Sequence, residues 1–181
     1  IWLLFYFFVP EVENKVVKTK EKIRPQAISI LSVLFASIMV MNSIAIAVRF
    51  PALAIEIKGE NYNTSLFLAL MPVLGIVSGF LFQRITSRMK HRILYLAVFI
   101  NMIANFLVAI GNQHFGFLVI GLLISSIPVA WVLPFLFNHI EKIAKGISTR
   151  LLTSFIFLGC NLGVFLAPVL MSLIASIGGT T

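Results

Sequence analysis

The longest uncharged stretch of the chain, residues 93–140, reads ILYLAVFINMIANFLVAIGNQHFGFLVIGLLISSIPVAWVLPFLFNHI. A helix needs about 20 mostly apolar residues to cross the hydrocarbon core of a bilayer, so this stretch is long enough for two crossings. The polar and glycine-containing segment 111–116 interrupts it in the middle. The stretch therefore predicts two membrane-spanning helices, at residues 93–111 and 115–138, joined by a short turn.

Three further uncharged stretches predict spans at residues 27–50, 63–83 and 150–176. The runs are continuous and show no alternation of apolar and polar residues, which favours helices over the strands of a β-barrel. The predicted fold is an all-α, polytopic membrane helix bundle with five complete transmembrane helices.

The first 26 residues are predicted to lie outside this bundle, which occupies residues 27–181. Residues 1–9 form an apolar run that is too short to span a bilayer alone, so we interpret them as the end of an upstream transmembrane helix. Residues 10–26 mix acidic and basic side chains between two prolines, which indicates a cytoplasmic linker.

The composition of the whole chain excludes most other classes of protein. Of its 181 residues, 60% are hydrophobic and 11% are charged, whereas an ordinary soluble domain has about 45–50% and about 25%. A soluble enzyme or a disordered chain is therefore excluded. The single cysteine, Cys160, excludes an internal disulfide and a cysteine-based zinc cluster.

The basic residues lie in alternate loops and so predict the orientation of the chain. Segments 11–24, 84–92 and 141–150 contain 12 of the 14 lysines and arginines, whereas the opposite loops contain only Lys58, with Arg49 at a span edge. Cytoplasmic loops of membrane proteins carry the excess of basic residues. The three basic loops are therefore predicted to be cytoplasmic in a multi-pass protein of the cell membrane. The net charge of +8 is then a topology signal, and no nucleic-acid partner is predicted.

The predicted spans contain no aspartate or glutamate, and the three histidines lie at span ends or in a loop. These spans therefore offer no proton relay, no metal-ligand cluster and no base that could activate a serine. The sequence predicts no enzyme activity, no catalytic residue, no metal site and no cofactor.

Neutral polar residues inside the spans are the remaining candidates for function, because an amide in hydrocarbon must find a partner or face water. For Asn42, Trp131 and Asn161 two interpretations stay open: they line a substrate cavity, or they join helices by hydrogen bonds. For Asn101 and Asn105, which share a helix face, we favour helix–helix hydrogen bonding. Ser125, Ser126, Pro128 and Pro134 interrupt the fourth span.

Glycines at four-residue spacing occur in two spans and let helix backbones approach closely. Gly75 and Gly79 lie in the second span, and Gly159 and Gly163 lie in the fifth. We predict helix packing at both pairs and at Pro168. Candidate bends are predicted at four prolines: Pro72, Pro128, Pro134 and Pro168. If spans one to three form one group and spans four onward a second, each glycine pair lies in the middle helix of its group. These two helices run in opposite directions, which is the arrangement that an inverted repeat would give.

Three features of the sequence resemble the C-terminal half of a major facilitator superfamily transporter, near its bacterial drug-efflux branch. Residues 79–84, GFLFQR, and 87–92, SRMKHR, are similar to the Gly-x-Leu-x-Asp-Arg-x-Gly-Arg-Arg loop of that family. Gln83 stands where the motif has aspartate. The positions of this sequence that match the motif are Gly79, Arg84, Arg88 and Arg92. Residues 159–168, GCNLGVFLAP, resemble the glycine and proline pattern of the family's eleventh helix, and residues 10–26 resemble the central cytoplasmic loop.

The resemblance implies that the five spans are helices seven to eleven and that an N-terminal half of the same protein is the facing partner. The family places helices seven and ten at the substrate cavity and helix nine outside. This implies that Asn42 and Trp131 are separated from Asn101 and Asn105.

The function predicted from the sequence is that of a fragment of a secondary active transporter, an efflux antiporter being one candidate, embedded in the lipid bilayer. It would move a small organic compound by alternating access. The alternative is a non-transport membrane subunit, or a signalling or assembly protein, that uses the helix bundle to bind a partner.

Overall fold

A computed structural model describes residues 27–111, 114–144 and 148–177 of the chain. Five of its helices are long: α1 (Ala27–Lys58), α2 (Ser65–Met89), α3 (Ile93–Ile110), α5 (Ser126–Asn138) and α7 (Thr149–Ile177). The shorter helices are α4 (Phe115–Ile124) and α6 (Ile140–Ile143), and a 3₁₀ turn at Lys90–Arg92 links α2 to α3. Every regular element in these ranges is helical.

Among the described residues, five helical segments are long and apolar enough to cross a membrane. They are α1, α2, α3, the consecutive pair α4 and α5 at Phe115–Asn138, and α7. The predicted all-helical bundle with five such segments is confirmed. The predicted upstream helix end at residues 1–9 and linker at residues 10–26 lie outside the described residues.

Two helices extend further than the sequence predicted. The first continues through Pro51 to Lys58 and ends at Gly59, whose φ of +97° is a left-handed conformation that glycine adopts at low cost. The second continues to Met89, so that Arg84 and Arg88 lie on its last turns instead of in a loop. The charged residues therefore mark the ends of the apolar spans but not the ends of the helices.

The fourth span is divided at Ser125, between α4 and α5. Pro128 has no backbone N–H and its ring clashes with the carbonyl four residues earlier, which weakens a continuous helix at this point. In the observed arrangement Pro128 lies in the first turn of α5, where a helix does not need that N–H.

The helices pack in an interleaved bundle in which α1 lies along α7, α2 along α5, and α3 along α4 and α5. Two buried clusters include residues of α1 and lie towards its opposite ends. Because lipid is as apolar as the side chains, close van der Waals packing and hydrogen bonds stabilise such contacts, rather than the exclusion of water.

Large apolar side chains cover the outside of the bundle. Phe80 is 82% exposed and Phe165 is 70% exposed, and many leucines, isoleucines and valines are similarly open. A soluble monomer rarely exposes apolar patches of this extent. The five apolar helices and this surface indicate a multi-pass protein embedded in a membrane.

The ends of the helices fall into two groups. At one end the hydroxyl of Ser29 donates a hydrogen bond of 2.8 Å to the carbonyl of Ile143, so the start of α1 lies beside α6. At the other end the ammonium of Lys58 lies 5.3 Å from the ring centre of Phe115, at the start of α4. Ile28 of α1 and Leu94 of α3 border one groove, so segment 84–92 lies at the same end as Ser29. The described part of segment 141–150 also lies there, whereas Lys58 lies at the other end.

Candidate functional site

The break in the fourth span is the centre of the candidate site. Ser43, near the middle of α1, donates a hydrogen bond of 2.7 Å from its hydroxyl to the carbonyl of Ser125. The hydroxyl of Ser125 donates to the carbonyl of Leu122 at 2.6 Å, and that of Ser126 donates to the carbonyl of Leu123 at 2.8 Å. The backbone at Ser125 keeps helical dihedral angles (φ −62°, ψ −18°), so the chain continues along a helical path through the break. The serine hydroxyls supply additional partners for the backbone carbonyls around it.

A cavity of about 300 Å³ that is open to the outside of the bundle lies next to this break, among α1, α2 and α5. Its lining combines aliphatic side chains with two serines, one glycine and one proline: Val40, Ser43, Ile44, Met71, Pro72, Gly75, Ser126, Val129 and Ala130. These residues come from the middle of α1, the first half of α2 and the start of α5. The cavity therefore lies near the middle of the membrane-spanning region.

The chemistry of the cavity suits a neutral and largely apolar molecule. No residue that lines it is ionisable. The hydroxyls of Ser43 and Ser126 are buried and already donate to backbone carbonyls, so almost all of the surface that a ligand would touch is apolar. The site can thus bind a molecule mainly through apolar contacts.

Asn42 does not line this cavity and instead pairs with Asn101. Its side-chain amide donates a hydrogen bond of 2.9 Å to the side-chain oxygen of Asn101, which joins α1 to α3. The expected separation of Asn42 from Asn101 is therefore wrong, because the two partly buried amides satisfy one another. Asn105 donates to the backbone carbonyl of Asn101 at 2.8 Å, within α3 itself.

Trp131 is buried between α5 and α2. Its indole N–H donates a hydrogen bond of 3.0 Å to the backbone carbonyl of Ser78, so its polar group already has a partner. The hydroxyl of Ser78 is buried and has no hydrogen-bond partner among the described residues. Trp131 packs with Phe82, Ile93 and Phe135 and thus joins two helices on the side of α5 that faces α2 and α3.

Asn161 lies on an exposed face of α7. Its side-chain amide donates to the backbone carbonyl of Phe157 at 2.9 Å, one turn earlier in the same helix. The structure thus places Asn42, Trp131 and Asn161 at three separate positions. The prediction that they bind a substrate stays a prediction, and none of them lines the cavity beside the break.

The two glycine pairs have different surroundings. A Cβ atom at Gly163 would lie 2.6 Å from the backbone carbonyl oxygen of Ser37, and one at Gly159 would lie 2.5 Å from the Ser37 hydroxyl. A Cβ atom at Gly75 or Gly79 would meet no atom of the described chain within 4 Å. Close helix packing is thus observed for the pair in α7, and Gly75 instead opens onto the cavity.

The residues that resemble the family's loop motif lie on the outside of one end of the bundle. Gln83, Arg84 and Arg88 are exposed on the last turns of α2, and Arg92 is exposed at the end of the 3₁₀ turn. Lys90 has a φ of +49°, which a residue other than glycine adopts only at some cost.

Pro168 lies within α7, which continues without a break on both sides of it. The bend predicted there is therefore not accompanied by an interruption of the helix. In the described ranges, His, Cys, Asp and Glu form no group of three that could hold a metal ion.

Sequence reasoning noted Ser125, Ser126 and Pro128 as an interruption but did not identify the cavity beside them. The signal was the occurrence of two serines and a proline in the middle of an otherwise apolar span. Ser43, at the matching depth of α1, is the residue that completes the group.

Comparison of the chain with protein-family models, with curated proteins and with solved structures gives no significant match. The apolar helices and the apolar outer surface define the class: a multi-pass α-helical membrane protein with an apolar cavity beside the break in its fourth span.

Proposed function

We propose that this chain is part of a secondary active transporter that moves a small, uncharged organic compound across the cell membrane by alternating access. The observation that carries the proposal is the cavity of about 300 Å³ beside the break at Ser125. Small-molecule sites occupy volumes of about 300–1,000 Å³ and combine mostly apolar walls with a few polar groups. Transporters characteristically place such sites near the bilayer midplane beside discontinuous helices.

The break also supports a movement of the fourth span. A helix that lacks continuous backbone hydrogen bonds at one point can change its bend there at lower cost than an unbroken helix. The hydrogen bond from Ser43 to Ser125 couples this point to α1, which packs closely on α7. In this proposal, α1 and α7 move as one unit, and the start of α5 changes its distance from α2.

The sequence resemblance to the major facilitator superfamily supports the same proposal. It agrees with the orientation predicted from the basic loops, and it implies a facing N-terminal half that would close the open side of the cavity. Drug efflux by antiport is the activity that the resemblance favours.

Filling the cavity tests the proposal. In the full-length protein, Gly75→Leu places a side chain in the cavity, because a Cβ atom at this position meets nothing within 4 Å. We expect at least a tenfold loss of transport of lipophilic fluorescent compounds in vesicles that contain the protein. The matched control is Gly116→Leu, at an equally open glycine of α4 outside the cavity.

The expected result is loss with Gly75→Leu and retention with Gly116→Leu at equal amounts of protein in the membrane. Equal transport by both variants would contradict the cavity as the substrate site. Absence of transport by the unmodified protein, together with co-purification of a defined partner, would favour the alternative of a partner-binding membrane subunit.

A further inference from the structure

The membrane-facing surface at the basic end of the bundle contains two neighbouring grooves that share one residue. The first, of about 450 Å³, runs between α1 and α3 and is lined by Ile28, Leu31, Ser32, Phe35, Leu94, Tyr95, Val98 and Leu136. The second, also about 450 Å³, is lined by Met89, Arg92, Tyr95, Leu96 and Phe99. Tyr95 borders both grooves and is 76% exposed.

A basic segment lies next to these grooves. Segment 84–92 contains Arg84, Arg88, Lys90 and Arg92 and no acidic residue. Arg92 is exposed at the point where the 3₁₀ turn passes into α3, three residues before Tyr95. The surface therefore changes, over about one helical turn, from a cationic cluster through a phenol hydroxyl to an apolar groove.

We propose that this surface binds one anionic phospholipid. The phosphate of the headgroup would contact the guanidinium of Arg92 and the hydroxyl of Tyr95, and an acyl chain would lie in the groove between α1 and α3. A guanidinium matches the oxygens of a phosphate with two parallel N–H donors. The groove itself offers the chain an almost wholly apolar wall, because the hydroxyl of Ser32 already donates to the carbonyl of Ile28 at 2.8 Å.

This site differs from the cavity beside the break in its position and in its charge. It is independent of the proposed transport activity, because it requires only that the basic end of the bundle lies at an anionic leaflet. The cytoplasmic leaflet carries the anionic lipids that attract basic segments near the membrane. The proposal therefore agrees with the predicted cytoplasmic location of segment 84–92.

Native mass spectrometry of the full-length protein, titrated with phosphatidylglycerol or phosphatidylcholine in detergent, tests the proposal. We expect tighter binding of the first phosphatidylglycerol, weakened by added salt. Arg92→Gln should weaken this binding about fivefold, the effect of one basic residue near a membrane surface. Lys58→Gln, at the opposite end, makes the same change in net charge and should alter the binding less than twofold.

A second variant tests the groove separately from the charge. Val98 is 45% exposed in the groove wall, so Val98→Trp can occupy the groove without disturbing the core. We expect it to weaken phosphatidylglycerol binding at least as much as Arg92→Gln does. Equal binding of the two lipids, or equal effects of Arg92→Gln and Lys58→Gln, would overturn the proposal.

Unchanged binding by Val98→Trp would also overturn it, because the groove would then hold no acyl chain. The other candidate occupant of the groove is the N-terminal segment of this chain. Efficient disulfide formation between Val98→Cys and Phe5→Cys, in a Cys160→Ser background, would assign the groove to the N-terminal segment and exclude the lipid.

Discussion

At the scale of single residues, glycine allows a close helix contact in α7 but borders open space in α2. Gly163 is buried where α7 crosses α1, and any side chain there would press on the backbone of Ser37. Gly79, in α2, has open space where its side chain would be. Both belong to four-residue glycine patterns, so the pattern in the sequence does not distinguish a contact from an open position.

Replacing Gly163 by alanine should destabilise the bundle. The added Cβ atom would lie 2.6 Å from a backbone oxygen, which cannot rotate away, so α1 and α7 must separate slightly. We expect a loss of about 1–3 kcal/mol in the free energy of unfolding, the usual cost of overpacking. Titration with sodium dodecyl sulfate in mixed micelles measures it.

Gly79→Ala is the control for that substitution. It meets no steric obstacle in the described chain and should leave stability equal or raise it slightly, because alanine favours helix. Equal losses for Gly163→Ala and Gly79→Ala would contradict the close contact between α7 and α1.

Removing the amide pair between α1 and α3 should also lower stability. Asn42→Ala and Asn101→Ala each break the 2.9 Å hydrogen bond, and a double-mutant cycle isolates its contribution. We expect a coupling free energy of about 0.6–2 kcal/mol, the range measured for hydrogen bonds between helices in membranes.

Asn161→Ala removes the same chemical group from an exposed position that bonds only within its own helix. It should change the free energy of unfolding by less than Asn42→Ala does. A coupling energy of zero between Asn42 and Asn101 would show that each amide finds another partner.

At the scale of secondary-structure elements, the prolines of the bundle have different effects. Helices continue past Pro51, Pro72, Pro134 and Pro168, whereas the fourth span is interrupted three residues before Pro128. Pro128 is fully buried, and the Ser125 carbonyl that precedes it accepts a hydrogen bond from Ser43 of α1. The interruption therefore coincides with a proline and with a side-chain donor from a neighbouring helix.

Pro128→Ala should allow a more continuous fourth span. The new backbone N–H can donate to the carbonyl of residue 124, which restores one helical hydrogen bond. One such bond contributes about 1 kcal/mol, so hydrogen–deuterium exchange of the amides near Ser125 should slow several-fold.

Pro134→Ala is the control, because Pro134 lies inside α5 where no break occurs. It should leave exchange near Ser125 unchanged. If Pro128→Ala also leaves it unchanged, the hydrogen bond from Ser43, rather than the proline, maintains the interruption.

At the scale of the whole molecule, the alternation of the spans places the described basic loops together at one end of the bundle. Ser29 contacts Ile143 at that end, and Lys58 contacts Phe115 at the other. Because cytoplasmic loops carry the excess of lysine and arginine, the end with segment 84–92 should face the cytoplasm.

Cysteine labelling in intact cells tests this orientation. In a Cys160→Ser background, Lys58→Cys should react with a membrane-impermeant maleimide added outside. Ser87→Cys, exposed near the end of α2, should react only after the membrane is permeabilised. Labelling of both positions from the same side would contradict the predicted topology.

The fold could be predicted from the sequence to the level of helix number and approximate position. Each of the five predicted spans corresponds to a helical segment of the described residues. The ends of the helices were predicted less accurately than their number. The first helix, α1, was predicted to end at residue 50 but continues to Lys58, because helical hydrogen bonding persists past the apolar region until Gly59.

The candidate site was less predictable than the fold. The polar residues Asn42, Trp131 and Asn161 were recognised, but their partners were not. A side-chain amide forms whichever hydrogen bond the neighbouring helices allow, and sequence spacing specifies neighbours only within one helix.

The amino-acid sequence by itself determined that the described residues form five apolar helical segments and which loops carry the positive charge. These properties follow from the cost of placing charges and unpaired backbone groups in hydrocarbon, which acts on each segment separately. Only the tertiary structure decided that Asn42 pairs with Asn101, that Gly163 contacts α1 while Gly75 opens onto a cavity, and that Ser43 meets the break at Ser125. Each of these depends on the rotation and crossing of two helices, and residues far apart in sequence set that geometry.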